Sequence, residues 1–123
     1  MIPAGVEVFV AVTPIDLRWS FDRLAGLARE QIGREARSGA LFVFFGKRRT
    51  ALKILFFDGS GMCQLYKRLD ARIFKVPEVE VPGETCVELA AHALDALLDG
   101  VAVEAAPRRG RPDSRSRERK PIH

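Results

Sequence analysis

Two rhythms of apolar residues alternate along this chain, one with a period of two and one with a period between three and four. Val6 to Val12 (VEVFVAV) is rich in β-branched residues and predicts a strand, which Pro14 ends. From Ser20 to Gly33 the period lengthens. Phe21, Leu24, Ala25, Ala28 and Ile32 recur at three- and four-residue spacing, which lines them along one face of a helix. Ser20 is the expected cap of the first turn, Asp22 suits the positive helix end, and Gly33 is the expected stop.

From Gly39 the short period returns. Leu41–Phe45 (LFVFF) is a continuous apolar run suited to a strand buried on both faces. Leu52–Phe57 (LKILFF) and Cys63–Arg68 (CQLYKR) predict two more strands. The joining segments are the polar turn Gly46-Lys47-Arg48-Arg49-Thr50 and the run Asp58-Gly59-Ser60-Gly61, where glycine adopts positive φ at little cost. Ile73–Val76, closed by Pro77, is a candidate fourth strand. Strands so closely spaced predict an antiparallel meander. Beyond the connector 77–83, Thr85-x-x-Glu88 reads as a capping box. Val87, Ala90, Ala91, Leu94 and Leu98 read as the core-facing stripe of a second helix that stops at Gly100. The expected fold class is α+β: a single domain over residues 1–106, with an antiparallel β-meander of three to five strands packed with two helices. Residues 107–123, dominated by Arg, Ser, Pro and Gly, are expected to form a disordered basic C-terminal tail.

Composition narrows the class. At 123 residues and 47% hydrophobic content the chain has room for one true core and is not a disordered polypeptide. No run approaches the roughly 20 apolar residues of a membrane helix, and no basic-then-apolar leader opens the chain, so a cytoplasmic protein is expected. Cys63 and Cys86 lack metal or redox spacing and read as core thiols.

Charge is segregated in blocks. Residues 1–40 are balanced. Residues 41–76 hold eight basic side chains against two acidic, a net of +6, and residues 77–106 hold seven acidic and no basic ones. Residues 107–123 return to a net of +5. Such segregation speaks of surfaces and partners.

Catalytic chemistry finds little support. His92 and His123 have no ligand partner at metal spacing, and Gly59-x-Gly61 is too short for a phosphate cradle. A magnesium-binding trio of Asp16, Asp22 and Asp58 is conceivable. Asp22 is better read as a helix-start residue, however, and Asp58 as a turn residue. No catalytic residue, cofactor or metal is therefore expected. The basic residues carry more. In a meander the turns after the first and third strands lie at one end. Lys47, Arg48 and Arg49 should then neighbour Arg68 and Arg72, with Lys53 and Lys67 close by, where a phosphate backbone could approach. Arg18 and Arg23 are weaker candidates on the adjoining helix. Phe42, Phe44, Phe45, Phe56 and Phe57 are expected in the core, whereas Tyr66 and Phe74 are candidates for base stacking. The basic tail suits nucleic acid or the chain's own acidic stretch.

Several separated motifs resemble a known family. They are Asp16-Leu17-Arg18 with Phe21-Asp22-x-Leu24-Ala25; Gly39-x-Leu41-Phe42-Val43-Phe44; Lys53-Ile54-Leu55; Asp58-Gly59-x-Gly61; Tyr66-Lys67-Arg68-Leu69; and Phe74-x-x-Pro77. Together they resemble, over about residues 5–100, the TnpB-type accessory proteins encoded by the second reading frame of insertion-sequence-sixty-six elements. These are distinct from the RNA-guided nucleases that share the TnpB name. Family members often carry tryptophan at the position of Phe57 and glycine at that of Arg72, and the tail extends beyond the family pattern. The resemblance implies a non-enzymatic role in transposition beside a separate transposase. The expected partners are DNA, at the transposon ends, and that transposase, in the bacterial cytoplasm at the nucleoid. The alternative is a protein–protein adaptor, gripping the transposase through the acidic segment 77–106 or a sheet edge, without DNA contact.

Overall fold

The computed structural model describes residues 5–107. Its centre is a five-stranded mixed sheet with two helices, an α+β architecture. The elements run β1 (Val8–Ile15), α1 (Phe21–Leu27), β2 (Leu41–Gly46), β3 (Ala51–Phe57), β4 (Met62–Arg68), β5 (Cys86–Leu89) and α2 (Ala93–Leu98). The sheet order is β4-β3-β2-β1-β5. β2, β3 and β4 form the expected antiparallel meander, with Phe45 opposite Leu52 and Ala51 opposite Arg68. β1 departs from it. It pairs parallel with β2, Val8 to Leu41, because the helical crossover from Phe21 onward returns the chain to the same end.

Strand alternation sorts the apolar residues onto two faces. Val8, Val10, Val43, Phe45, Leu52, Ile54, Val87 and Leu89 point to one side and pack with Phe74, Leu94 and Leu97. Phe9, Ala11, Ile15, Phe42, Phe44 and Leu55 point to the other and pack with Leu24, Ala28, Ala36 and Ala40 around α1. The continuous LFVFF run is thus buried on both faces, and its buried phenylalanines each contribute about 2 kcal/mol relative to exposure.

Six local expectations require correction. Pro14 lies inside β1, where the register with β2 breaks between Ala11 and Ile15; past the residues paired with β5, a ring nitrogen costs no ladder bond. Ser20 stands before α1 in extended conformation but makes no side-chain cap. The first helix also changes character. Past Leu27 it widens into a π turn, Ala28–Ile32, before Gly33 ends it in the left-handed conformation. Ile73–Val76 is not a strand; Phe74 is fully buried and its N–H donates to the Arg49 carbonyl, 2.7 Å away. Finally, the first part of the second helix is β5. Thr85 closes no capping box. Its hydroxyl donates to the Gln31 carbonyl (2.5 Å), and its carbonyl accepts from Val12 N–H. Cys63 and Cys86 form no disulfide and are half-buried rather than fully within the core. Among the described residues no helix is long and apolar enough to cross a membrane. Apart from Pro107, the tail expectation falls outside the described residues.

Candidate nucleic-acid interface

The parallel pairing of β1 with β2 decides what gathers at one end of the sheet. Parallel strands finish together, so Asp16-Leu17-Arg18 leaves β1 beside the turn that leaves β2. Antiparallel pairing brings the start of β3 and the finish of β4 to the same end. Lys47, Arg48, Arg49, Arg68 and Arg18 consequently line one open cleft of about 490 Å³, with Asp16, Leu17 and Tyr66. A second cleft of about 640 Å³ shares Thr50 and Arg68 and continues along Leu69 to Ile73.

The turn is tightly specified. Arg49 N–H donates to the Gly46 carbonyl (3.0 Å), and Leu69 N–H to the Thr50 carbonyl (2.9 Å). Arg49 sits at φ 60°, the left-handed region that costs a side-chain-bearing residue about 1–2 kcal/mol. Gly46 lets Leu17 close against the turn, since a Cβ there would stand 2.8 Å from Leu17 Cδ1. Lys47, Arg48, Arg49 and Arg68 are exposed, and none has an ion-pair partner among the described residues.

Three of the expected site residues are differently placed. Lys67 opposes Leu52 and therefore faces the α2 side, while Arg68 opposes Ala51 and faces the α1 side. Lys67 Nζ lies 3.8 Å from the Asp99 carboxylate, and Arg72 Nη1 donates to the Asp99 carbonyl (3.2 Å). Lys53 is half-buried, its ammonium 3.5 Å from the Trp19 carbonyl. Arg23 stacks on Trp19, 4.0 Å from the ring centroid. Tyr66 is 53% exposed, whereas Phe74 is fully buried and cannot stack on a base. The Asp trio does not form, because Asp16 and Asp58 lie at opposite ends of the sheet, β3 spanning roughly 20 Å between them. Among the described residues no cluster of His, Cys, Asp and Glu has metal-site geometry.

Sequence reasoning underrated Asp16-Leu17-Arg18. One carboxylate oxygen of Asp16 accepts from Arg18 N–H (2.9 Å) and Nε (3.0 Å), and the other from Nη2 (2.7 Å). The guanidinium, then the backbone N–H of Arg18, hold this carboxyl far below the usual range, with a further contribution from Lys47. The useful signal was the helical crossover between β1 and β2, which implies parallel strands.

A family model described as IS66 Orf2 like protein matches residues 6–108. The chain belongs to this family. Membership makes the IS66 Orf2-like protein an accessory protein of IS66 insertion sequences, with a role in transposition. It is 34% identical to the uncharacterized protein y4hO of Sinorhizobium fredii over 103 residues, 82% of this chain and 87% of the relative. It is 33% identical to y4jC of the same organism, also uncharacterized, over 76 residues, 62% of this chain and 65% of the relative. No solved structure is significantly similar to the IS66 Orf2-like protein.

Proposed function

We propose that this IS66 Orf2-like protein binds DNA at the transposon ends through the cationic end of its sheet and thereby assists the transposase in the bacterial cytoplasm. One observation carries this reading: Lys47, Arg48, Arg49 and Arg68 meet at one end, exposed and without ion-pair partners among the described residues. Surface cations already engaged by carboxylates release fewer counterions from DNA, so unengaged ones matter most. Four phosphate contacts predict that duplex affinity falls on the order of a hundredfold between 50 and 200 mM salt. The test is salt-dependent retention on duplex DNA bearing the element's terminal repeats, against random duplex and with or without transposase. Exchanging Lys47, Arg48 and Arg49 for Glu abolishes retention; unchanged retention rejects the interface.

The adaptor reading has its own support in the exposed Glu78 and Asp95 of the acidic segment. Co-purification with the transposase from nuclease-treated, high-salt extract, combined with no DNA retention, favours it.

A further inference from the structure

We infer that the cleft between the Asp16–Arg18 loop and the end of β4 seats one unpaired nucleotide of a DNA strand, its phosphate on Arg18 and Arg68 and its base on Tyr66. This rests on the proposed nucleic-acid reading and names the form of DNA the site takes. Three observations converge on it.

The first is the bare ring of Tyr66. Trp19 and Phe9 each carry a guanidinium over one face, Arg23 at 4.0 Å and Arg34 at 5.0 Å from the centroid. Tyr66 shares its cleft with four arginines and a lysine, yet no described cation covers its ring, and the residue is 53% exposed. An aromatic face left open amid cations suits a nucleobase, which stacks on the ring while its phosphate meets the charges.

The second is the posture of Arg18. Asp16 takes Nε and Nη2, so the guanidinium is held by two hydrogen bonds while its side chain stays 89% exposed. Nη1 has no hydrogen-bond partner among the described residues and is left to donate outward. Holding a long arginine in place beforehand lowers the ordering cost of meeting a phosphate. Asp16 is thus a positioning residue for Arg18.

The third is shape. The cleft is open and shallow, about 490 Å³, and reaches the edge strand β4. A paired base is stacked inside the duplex and cannot reach Tyr66, whereas a base in a single strand or at a frayed end can.

The experiment compares fluorescence anisotropy of a short thymidine oligonucleotide and a duplex of equal length with the full chain and its variants. Tyr66→Ala weakens single-strand binding about tenfold and leaves duplex binding unchanged, while Tyr66→Phe retains both. Asp16→Ala gives a reading of opposite sign to simple charge counting. Removing a negative charge would tighten binding to a polyanion, but loss of the positioned Arg18 weakens it several-fold, and Arg18→Ala adds nothing further in that background. The salt slope also falls by roughly one contact in Asp16→Ala. Thermal melts of each variant verify folding. Equal loss on both DNAs after Tyr66→Ala, no loss on either, or tighter binding by Asp16→Ala overturns the inference, and none of these outcomes contradicts the reading that the cationic end binds duplex DNA. Failure of the unaltered protein to bind either DNA at low salt removes both readings together.

Discussion

The two tight turns of the meander are built on opposite terms. The turn between β3 and β4 is locally satisfied. Asp58 accepts hydrogen bonds from Ser60 N–H (2.8 Å), Ser60 Oγ (3.0 Å) and Gly61 N–H (2.9 Å), and glycine, at Gly59, takes the left-handed position. The turn between β2 and β3 has arginine, Arg49, in the left-handed position, and its exposed side chains have no hydrogen-bond partners among the described residues. A chain selected only for stability would place glycine or asparagine at Arg49. Strain retained at a cationic turn fits the proposed DNA contact, and the surrounding packing holds it in place.

That packing has one main member, so the contrast can be broken there. Phe74 is fully buried against Phe45, and its N–H is the group that holds the Arg49 carbonyl. Phe74→Ala is expected to destabilise the protein by about 4 kcal/mol, read as a lower urea midpoint. The same change loosens the β2–β3 turn while leaving the β3–β4 turn protected, a difference that amide hydrogen exchange of Arg49 and Gly61 reports. The next effect is of opposite sign. Arg49→Gly relieves the left-handed strain and is expected to raise stability by about 0.5–1 kcal/mol in the same urea assay, while weakening DNA retention. A stabilised variant with undiminished retention would mean that Arg49 is not kept for its charge.

The smallest expected effect is the share of the acid pH dependence that belongs to the satisfied turn. The N–H of Ser60, then that of Gly61, hold the Asp58 carboxyl down from its ordinary 3.8 to about 2. A folded-state value below the unfolded one means that the contribution is complete above about pH 4 and is lost as pH falls towards about 2. Asp58→Asn is expected to make that part of the stability curve shallower, the contribution of Asp16 remaining, as measured by thermal melts across the acid range. An unchanged acid limb would show that the turn bonds do not discriminate between charged and neutral Asp58.

Legibility from the sequence followed range. The strands of the meander were readable because each is a continuous apolar or alternating run bounded by turn residues. β5 was not. Val87 and Leu89 alternate with Cys86 and Glu88 as a strand requires, but Val87 also belongs to a helical series with Ala90, Ala91 and Leu94. In four residues the two periods cannot be separated. Pairing with β1 decided between them. That Lys47, Arg48, Arg49 and Arg68 gather at one end of the sheet was readable from hairpin topology. The placement of Lys67 and Arg72 was not, because Asp99 arrives from the end of α2, a tertiary neighbour no local pattern announces. Tyr66 was readable as an exposed aromatic because its strand is the least apolar of the meander.

Parallel pairing of β1 with β2 has a consequence for variation among related chains. The connection that separates Asp16 from Lys47 begins and ends at fixed points of the sheet, so the two loops stay in register whatever length of helix lies between them. Insertions or deletions in that stretch would alter one flank of the molecule and leave the arginine-bearing pole untouched. Trimming a single residue from β1 would invert its inward and outward side chains and pull the Asp16–Arg18 loop out of reach of the β2–β3 turn.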